Sequence, residues 1–476
     1  EAPTKDLPVD VLMQVGDSGE SQSSNMEESV EVIDKTKDRD KDKEAESQRR
    51  KALKALKGLE AERKLQGLSL RGLKYEIKVP SGPIAEASSL DGLTNEDSIV
   101  VVSGSLKKLV RWVLFRSSRA RSETEAFLLT YQQFRFTPIE MFETMQKTFQ
   151  KGLKDRALAK ILLPRVADFM IVWVLSTFRS DFRGYEMRNR LLTFLADLSA
   201  AKPNGLFHAN RIKLSVIRAD KEVKEHTTLL RLQSREFYND PAPLDSSRSR
   251  SFSFLDLKSQ IVAEQLTFKE FKMYRNIQIT ELLNMAWKSD RRMLIAPNVV
   301  ALVDRTNSVS YWVACEVCMC MDLRKRIQAL EKFISIAKKC ADLHNYNTTM
   351  EILGGLNNVA VQRLKRTWGG VSEKYNQIWD ELTDLMETKN NYVNYRQSLG
   401  ENCPAVPFLG IFLRDLTFIE DGNEDMIDRR HVNYQKIQLL GSVVAQIRKH
   451  QRGAYKITRL FDVQRYLDKA LILPED

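Results

Sequence analysis

The sequence has no run of apolar residues that approaches the ~20 needed for an α-helix to span a bilayer. Its longest candidate extends only from Phe169 to Leu175. The chain opens on Glu1-Ala2-Pro3 and a polar stretch, without the basic start and apolar middle of a secretory signal peptide. We therefore expect neither a membrane-spanning nor a secreted protein, and we place the chain in the cytoplasm.

Cysteine is scarce. The 476 residues include five cysteines, an odd number that is too small for a disulfide framework and is typical of a reducing compartment. Cys315-Glu-Val-Cys318 has the spacing of zinc ligands or of a redox pair, but it lies in an apolar stretch with no second pair nearby. We interpret these cysteines as small core residues and expect no metal site.

Motifs for nucleotide binding and covalent catalysis are missing. The chain has no Gly-x-x-x-x-Gly-Lys-Ser/Thr loop to cradle phosphates, so we do not expect it to hydrolyse GTP itself. Its five histidines show no His-x-x-x-His spacing, and no Gly-x-Ser-x-Gly motif occurs. The sequence predicts neither an enzyme with covalent chemistry of its own nor a bound cofactor.

The charge balance is basic but mixed, with 74 Lys and Arg against 63 Asp and Glu and a net charge of +11. Nucleic-acid binding depends on clustered cations, whereas these are spread among acids and accompany no zinc-finger or RNP-like motif. We expect no nucleic-acid partner. Attraction to anionic lipids would explain the same excess, which leaves open a transient contact with a membrane surface.

Apolar periodicity predicts an all-α fold. Residues 1–95 are predicted to be disordered, because their charge-rich stretches hold too few apolar residues for burial to offset the entropy of ordering. After residue 98, helical spacing recurs in two apolar stripes: Leu106, Leu109, Val110, Val113 and Leu191, Phe194, Leu195, Leu198. Thr137 is placed to cap a helix that begins at Pro138.

Composition also predicts the domain boundaries. A strong turn signal at residues 202–205 and a proline- and serine-rich stretch at 240–253 mark residues 201–254 as a linker. This divides the folded part into a helical domain at 98–200 and a larger helical domain at 255–474.

The stretch from Asn402 to Asn423 carries the most specific pattern. Pro404 and Pro407 stop any preceding helix, and an apolar run then ends in an acidic turn. Periodicity alone favours a buried helix that leaves the core. Its residues from Pro407 onward read Pro-Phe-Leu-Gly-Ile-Phe-Leu-Arg-Asp-Leu-Thr-Phe-Ile-Glu-Asp-Gly-Asn. This sequence resembles the signature of Ras-family guanine-nucleotide exchange factors, in which the stretch begins a helical hairpin that opens a small GTPase.

Other segments resemble the same family in the same order. In the larger domain they are residues 344–357, 363–368, 391–396 and 432–436. Upstream, Phe-Leu-Leu-Thr-Tyr-x-x-Phe at 127–134, Val172-Trp173 and Asp181-Phe182 resemble the Ras exchanger motif (REM) domain that precedes the catalytic RasGEF domain. The resemblance covers roughly residues 98–473 apart from the linker. It implies a REM domain packed on a larger catalytic domain with a protruding helical hairpin.

The resemblance also implies roles for particular residues. The surface that binds the GTPase would include Val303, Met350, Tyr392 and Phe408, with Asn357 and Arg363 in a supporting network. The helix that starts at Phe408 would act as a wedge, with Thr417 and Asp421 facing the phosphate and magnesium site of the GTPase. Some members carry a bulky aliphatic residue in place of Thr417 and a longer glutamate in place of Asp421.

Two functions remain as alternatives. The resemblance implies an exchange factor for a Ras-family GTPase, of the Ras or Rap subfamily, with GDP, GTP and magnesium belonging to that partner. A catalytically inactive helical scaffold that binds a small GTPase is the other. The intact motif of the hairpin favours exchange, because a scaffold that had lost activity would be expected to lose the acidic turn after the apolar run.

Overall fold

A computed structural model describes residues 73–77, 99–115, 121–154, 156–238, 254–402 and 404–470. The segment that the sequence predicted to be disordered, residues 1–95, lies outside the described residues except for 73–77.

Helices make up most of the described residues, and the all-α prediction is confirmed. The first part contains β1 (Leu73–Ile77), β2 (Ile99–Gly104), α1 (Leu106–Phe115), α2 (Arg121–Thr130), α3 (Pro138–Gly152), α4 (Arg156–Asp181), α5 (Tyr185–Ala200) and α6 (Gly205–Tyr238). The middle part contains α7 (Ser259–Asn276), α8 (Arg292–Ile295), α9 (Pro297–Cys318), α10 (Leu323–Asp342), α11 (Tyr346–Leu356), α12 (Val359–Gln362) and α13 (Lys365–Trp368). The last part contains α14 (Glu373–Leu385), α15 (Lys389–Leu399), α16 (Leu409–Gly422), β3 (Met426–Asp428), β4 (His431–Asn433), α17 (Tyr434–His450) and α18 (Phe461–Ala470).

The described residues fall into two compact units. The N-terminal unit takes those within 26–243 together with 419–445, and the C-terminal unit takes those within 244–418 and 446–476. Residues 419–445, which belong in sequence to the larger predicted domain, therefore pack with the helices of the first.

The N-terminal unit has a core of apolar side chains from α1 to α6. The predicted stripes supply much of it, because all their residues are buried except the half-buried Leu106. Thr137 caps α3 as predicted: its hydroxyl accepts from the Glu140 N–H at 3.2 Å, and Pro138 occupies the first helical position. The start signal of this helix was therefore interpreted correctly.

A buried carboxylate organises this core. Asp181 accepts hydrogen bonds from the hydroxyl of Tyr131 at 2.7 Å and from the indole of Trp173 at 2.6 Å. Thr177 and Gln132 donate to the same carboxylate at 2.9 and 2.6 Å. Burial and the charge of Asp181 together raise the pKa of Tyr131 far above its ordinary range. The motif residues that suggested a REM domain thus converge on one anion, which explains why those residue types occur at those positions.

A small antiparallel sheet completes the N-terminal unit, with strand order β1-β2-β4-β3. Its first strand corrects the prediction for residues 1–95, since residues 73–77 are ordered by pairing with β2. Leu73 is buried beside Gly104, where any added Cβ would clash with its side chain at 2.3 Å. A strand this short gives no helical period in the sequence, and its pairing partner lies more than 20 residues away.

Two other expectations need correction. Gly205–Tyr238 form one helix of 34 residues, so the range predicted as a linker is helical over most of its length. The prediction of core cysteines holds for the fully buried Cys340, whereas Cys318 is exposed at the end of α9. Among the residues that the structure describes, no helix combines the length and apolar character needed to cross a bilayer.

Candidate functional site

The segment that precedes α16 is held in an extended conformation. The Val406 N–H donates to the carbonyl of His344 at 2.9 Å, and the Val406 carbonyl accepts from the N–H groups of Tyr346 at 2.9 Å and Asn347 at 3.2 Å. The prolines on either side prevent a helix here, so these backbone groups are free to bond across the fold. The start of α11 thereby fixes the approach to Phe408.

Phe408 lies immediately before α16 and is only 5% exposed. Its N–H donates to the hydroxyl of Tyr395 at 3.1 Å, and that hydroxyl belongs to a side chain that is itself fully buried. The ring lies over Gly410, where an added Cβ would stand 2.8 Å from the ring. Glycine therefore occupies this position because the aromatic ring fills the space that a side chain would need.

A buried polar network lies behind this segment. Asn345 donates to Thr348 at 2.8 Å, and the hydroxyl of Thr348 donates to the carboxylate of Glu270 at 2.5 Å. Asn347 donates to Glu351 at 2.7 Å. All five side chains are buried. The polar residues of this motif, His-Asn-Tyr-Asn-Thr-Thr-Met-Glu, thus give the buried side of α11 hydrogen-bond partners that an apolar core would lack.

Replacing Glu351 with glutamine is expected to make stability depend less on pH. Burial, followed by the neighbouring Glu270, raises the pKa of Glu351 well above its ordinary value of 4.5. The folded chain therefore keeps a proton that the unfolded chain releases. Stability from this group is complete below the unfolded pKa and is lost as the pH rises through the folded one.

Urea unfolding at pH 5 and pH 8 measures this difference, and Glu373→Gln, at an exposed position of α14, is the matched control. Glutamine resembles the protonated acid, so the Glu351 variant should lose less stability between the two pH values than wild type. An unchanged loss would mean that Glu351 is ionised in the folded chain.

Helices α9 and α11 bring two of the predicted binding residues onto neighbouring elements. Val303 on α9 and Met350 on α11 are both half-buried. The helices pack closely, because Ser310 of α9 donates to the Glu351 carbonyl of α11 at 2.9 Å. Gly355 permits this approach, since an added Cβ would lie 2.4 Å from the Ser310 carbonyl oxygen.

Asn357 and Arg363 lie on the surface at the ends of α11 and α12. Asn357 is its C-terminal capping residue, and Arg363 directly follows α12. Both are exposed, which suits contact with a partner better than a role in the core.

Tyr392 lies in a strained turn. Asn390, Asn391 and Tyr392 have φ values of 47°, 57° and 59°, three successive residues in the left-handed region. Asparagine tolerates this conformation, but tyrosine rarely adopts it, and strain of this kind costs about 1–3 kcal/mol per residue. The Tyr392 side chain is 6% exposed, and the guanidinium carbon of Arg414 lies 5.0 Å from the centre of its ring.

The two residues that were predicted to face the nucleotide both lie on α16 but differ in exposure. Thr417 is 4% exposed, and its hydroxyl donates to the Leu413 carbonyl of the same helix at 2.9 Å. Asp421 is exposed in the last turn. Asp421 can therefore meet a partner as the chain stands, whereas the hydroxyl of Thr417 is already used within the helix.

The sequence reasoning overlooked Phe418, which is 64% exposed on α16. The guanidinium of Arg414 lies 5.8 Å from its ring centre. Arg414, Phe418 and Asp421 occupy positions i, i+4 and i+7 and therefore share one helix face. That spacing was visible in the sequence, but an apolar run gives no sign of which phenylalanine faces outward.

Comparison with known proteins identifies a domain family. The RasGEF domain family model matches residues 261–438, a range that includes α16 and every predicted binding residue. Residues 261–438 therefore match a RasGEF domain. The predicted REM domain, at residues 98–200, lies outside the matched range and stays a prediction.

Several curated proteins resemble this chain. Ras guanine nucleotide exchange factor M of Dictyostelium discoideum is 36% identical over 52% of this chain and 28% of its own length. Ras guanine nucleotide exchange factor A of the same organism is 29% identical over 80% of this chain and 63% of its own length. Ras-specific guanine nucleotide-releasing factor 2 of Mus musculus is 29% identical over 68% of this chain and 27% of its own length. The chain thus spans less than two thirds of each of these relatives.

Proposed function

We propose that this chain promotes GDP release from a Ras-family small GTPase of the Ras or Rap subfamily. The observation that carries the proposal is the construction of α16 within the matched range. Its base is anchored by the buried Phe408, whereas its last turn exposes Asp421. A helix with a buried base and an exposed acid in its last turn is suited to act as a wedge.

Exchange requires differential affinity rather than covalent chemistry. The protein must bind the nucleotide-free GTPase more tightly than the loaded one, because only that difference can expel a nucleotide. Val303, Met350, Tyr392 and Phe408 would form the surface for switch II, supported by Asn357 and Arg363. The protein would be a regulator without its own cofactor, with GDP, GTP and magnesium bound by the partner. We place it in the cytoplasm, with recruitment to a membrane surface.

Asp421 would oppose the return of the nucleotide. A carboxylate at the phosphate site repels phosphates and competes for the donors that bind them. Thr417, buried and bonded within α16, would contribute by packing rather than by contact with magnesium.

Asp421→Ala is expected to slow nucleotide release by about 10- to 100-fold, from ~1.5–3 kcal/mol for a hydrogen bond to a charged group. Release of fluorescent GDP from a panel of Ras, Rap and Ral proteins measures this. The melting temperature should not change, since the side chain is exposed. Asp380→Ala, at an exposed position of α14, is the matched control and should release nucleotide like wild type.

The inactive scaffold is the alternative outcome of the same assay. A wild-type chain that binds a GTPase of the panel but accelerates no release, and that shows no preference for the nucleotide-free form, would exclude the wedge and leave the scaffold.

A further inference from the structure

The strained turn Asn390–Tyr392 is held by cations from two helices. Arg396 of α15 donates from Nε to the Asn391 carbonyl at 2.9 Å, and Arg414 of α16 donates to the Asn391 side-chain oxygen. Asp415 joins the two cations, because its carboxylate lies 2.6 Å from Arg396 and 3.5 Å from Arg414. A conformation that tyrosine rarely adopts persists where its surroundings fix it, and such places are often functional.

Arg414 also lies over two aromatic rings. Its guanidinium is 5.0 Å from the ring centre of Tyr392 and 5.8 Å from that of Phe418, within the range of cation–π contacts. Tyr392 is buried beneath this cation, whereas Phe418 is 64% exposed above it. The three side chains thus form a stack in which Arg414 links a buried ring to an exposed one.

An exposed phenylalanine in such a stack is suited to bind a protein. Aromatic and arginine side chains dominate the energetics of protein interfaces, particularly where neighbours hold them in one conformation. The contact with Arg414 restricts the Phe418 ring, which lowers the conformational entropy that the ring loses on binding. The stack includes Tyr392, a residue of the proposed binding surface.

We propose that Tyr392, Arg414 and Phe418 form one continuous contact surface for the partner GTPase. Phe418 makes the outer apolar contact, and Arg414 is a positioning residue that holds both Phe418 and the left-handed turn. This inference rests on the proposed exchange function and assigns to it two residues that the family resemblance did not single out.

The test uses the full chain and the GTPase of the Ras, Rap and Ral panel whose release wild type accelerates most. Phe418→Ala is expected to raise KM for that GTPase about 30-fold, as for an interface hot spot. The melting temperature should stay unchanged, because the ring is exposed. Arg414→Met is expected to raise KM about 5- to 30-fold with kcat within about twofold, since it disturbs binding rather than nucleotide expulsion.

The chain offers a matched control pair. The guanidinium of Arg459 lies 4.4 Å from the ring centre of Phe461, which is 44% exposed, so the same kind of contact occurs outside the proposed surface. Arg459→Met and Phe461→Ala should leave KM unchanged. If they raise KM as much as the Arg414 and Phe418 variants do, the proposed surface is wrong.

A double-mutant cycle separates positioning from general destabilisation. If Arg414 acts by holding Tyr392, the effects of Arg414→Met and Tyr392→Leu should not be independent. The rise in KM of the double variant should then be smaller than the product of the rises in the two single variants. Arg414→Lys keeps the charge but loses the flat guanidinium, so it should rescue KM only in part. Independent effects, or full rescue by lysine, would overturn the positioning role.

Failure of this inference is distinguishable from failure of the proposed function. A wild-type chain that accelerates no GTPase of the panel overturns both. An active wild type whose Phe418→Ala variant matches it in KM overturns the contact surface alone.

Discussion

Phe408→Ala is expected to lower the free energy of unfolding by about 3–5 kcal/mol and to abolish measurable exchange together with it. The side chain is 5% exposed, and removing it leaves a cavity where the ring now lies over Gly410. The same ring begins the proposed wedge, so stability and exchange should fall together. Urea unfolding and fluorescent-GDP release measure the two quantities.

Gly410→Ala tests the position of the ring without removing it. The added Cβ would lie 2.8 Å from the ring, which must shift at a cost of about 1–3 kcal/mol. Alanine is otherwise favoured over glycine in a helix by up to ~1 kcal/mol, so the clash decides the sign.

Gly422→Ala is the control for stability, because nothing lies within 4 Å of its added Cβ at the end of the same helix. It should be neutral or slightly stabilising. Unchanged stability in Phe408→Ala combined with lost exchange would instead assign the ring to the interface alone.

Lys436→Met is expected to destabilise the N-terminal unit by about 3–5 kcal/mol, because it leaves the buried carboxylate of Glu420 without a cation. The ammonium is 3% exposed and lies 2.6 Å from Glu420 and 2.7 Å from Asp425. Burial alone disfavours its charge, but hydrogen bonds to Asp425 and Glu420 outweigh that effect and raise the pKa of Lys436. Glu420 is 9% exposed and also accepts from Gln133 at 2.7 Å.

The pair Lys74–Asp428 gives the contrast. Its charges are 3.1 Å apart but 54% and 40% exposed, so Lys74→Met should cost less than ~1 kcal/mol. Adding Glu420→Gln to Lys436→Met should recover part of the loss, since it removes the stranded charge. Urea unfolding of the four chains compares these effects, and equal costs for the two lysine variants would contradict the role assigned to burial.

The charged tip of α16 shows where sequence reasoning succeeded and where it stopped. The acidic pair after the apolar run was recognised, and Asp421 is exposed, while its role at a partner stays a prediction. Glu420, its neighbour, points to Lys436 and serves the fold. Adjacent carboxylates look alike in a sequence, and only the position of a lysine sixteen residues later separates their roles.

Thr417 and Phe418 show the same limit of sequence reasoning along α16. The resemblance to the family motif indicated Thr417, which is buried, and did not indicate Phe418, which is exposed. Helical periodicity gives the angle between two side chains but not the direction of the core. That direction depends on what packs against the helix.

The sequence by itself determined the properties that depend on near neighbours along the chain. Apolar spacing predicted helices, Thr137 and Pro138 predicted the start of α3, and the prolines before Phe408 predicted the extended entry to α16. Its motifs also indicated the domain family that the comparisons then found. These signals are local, because propensity, capping and periodicity act within a few residues.

Only the tertiary structure decided which distant groups meet. It brought Val406 to the start of α11, placed Arg414 against a left-handed turn more than twenty residues away, and paired the strand at residues 73–77 with β2. Such contacts depend on the burial and direction of whole elements, since a charge or a ring gains its effect from what surrounds it in space. No local pattern encodes that environment.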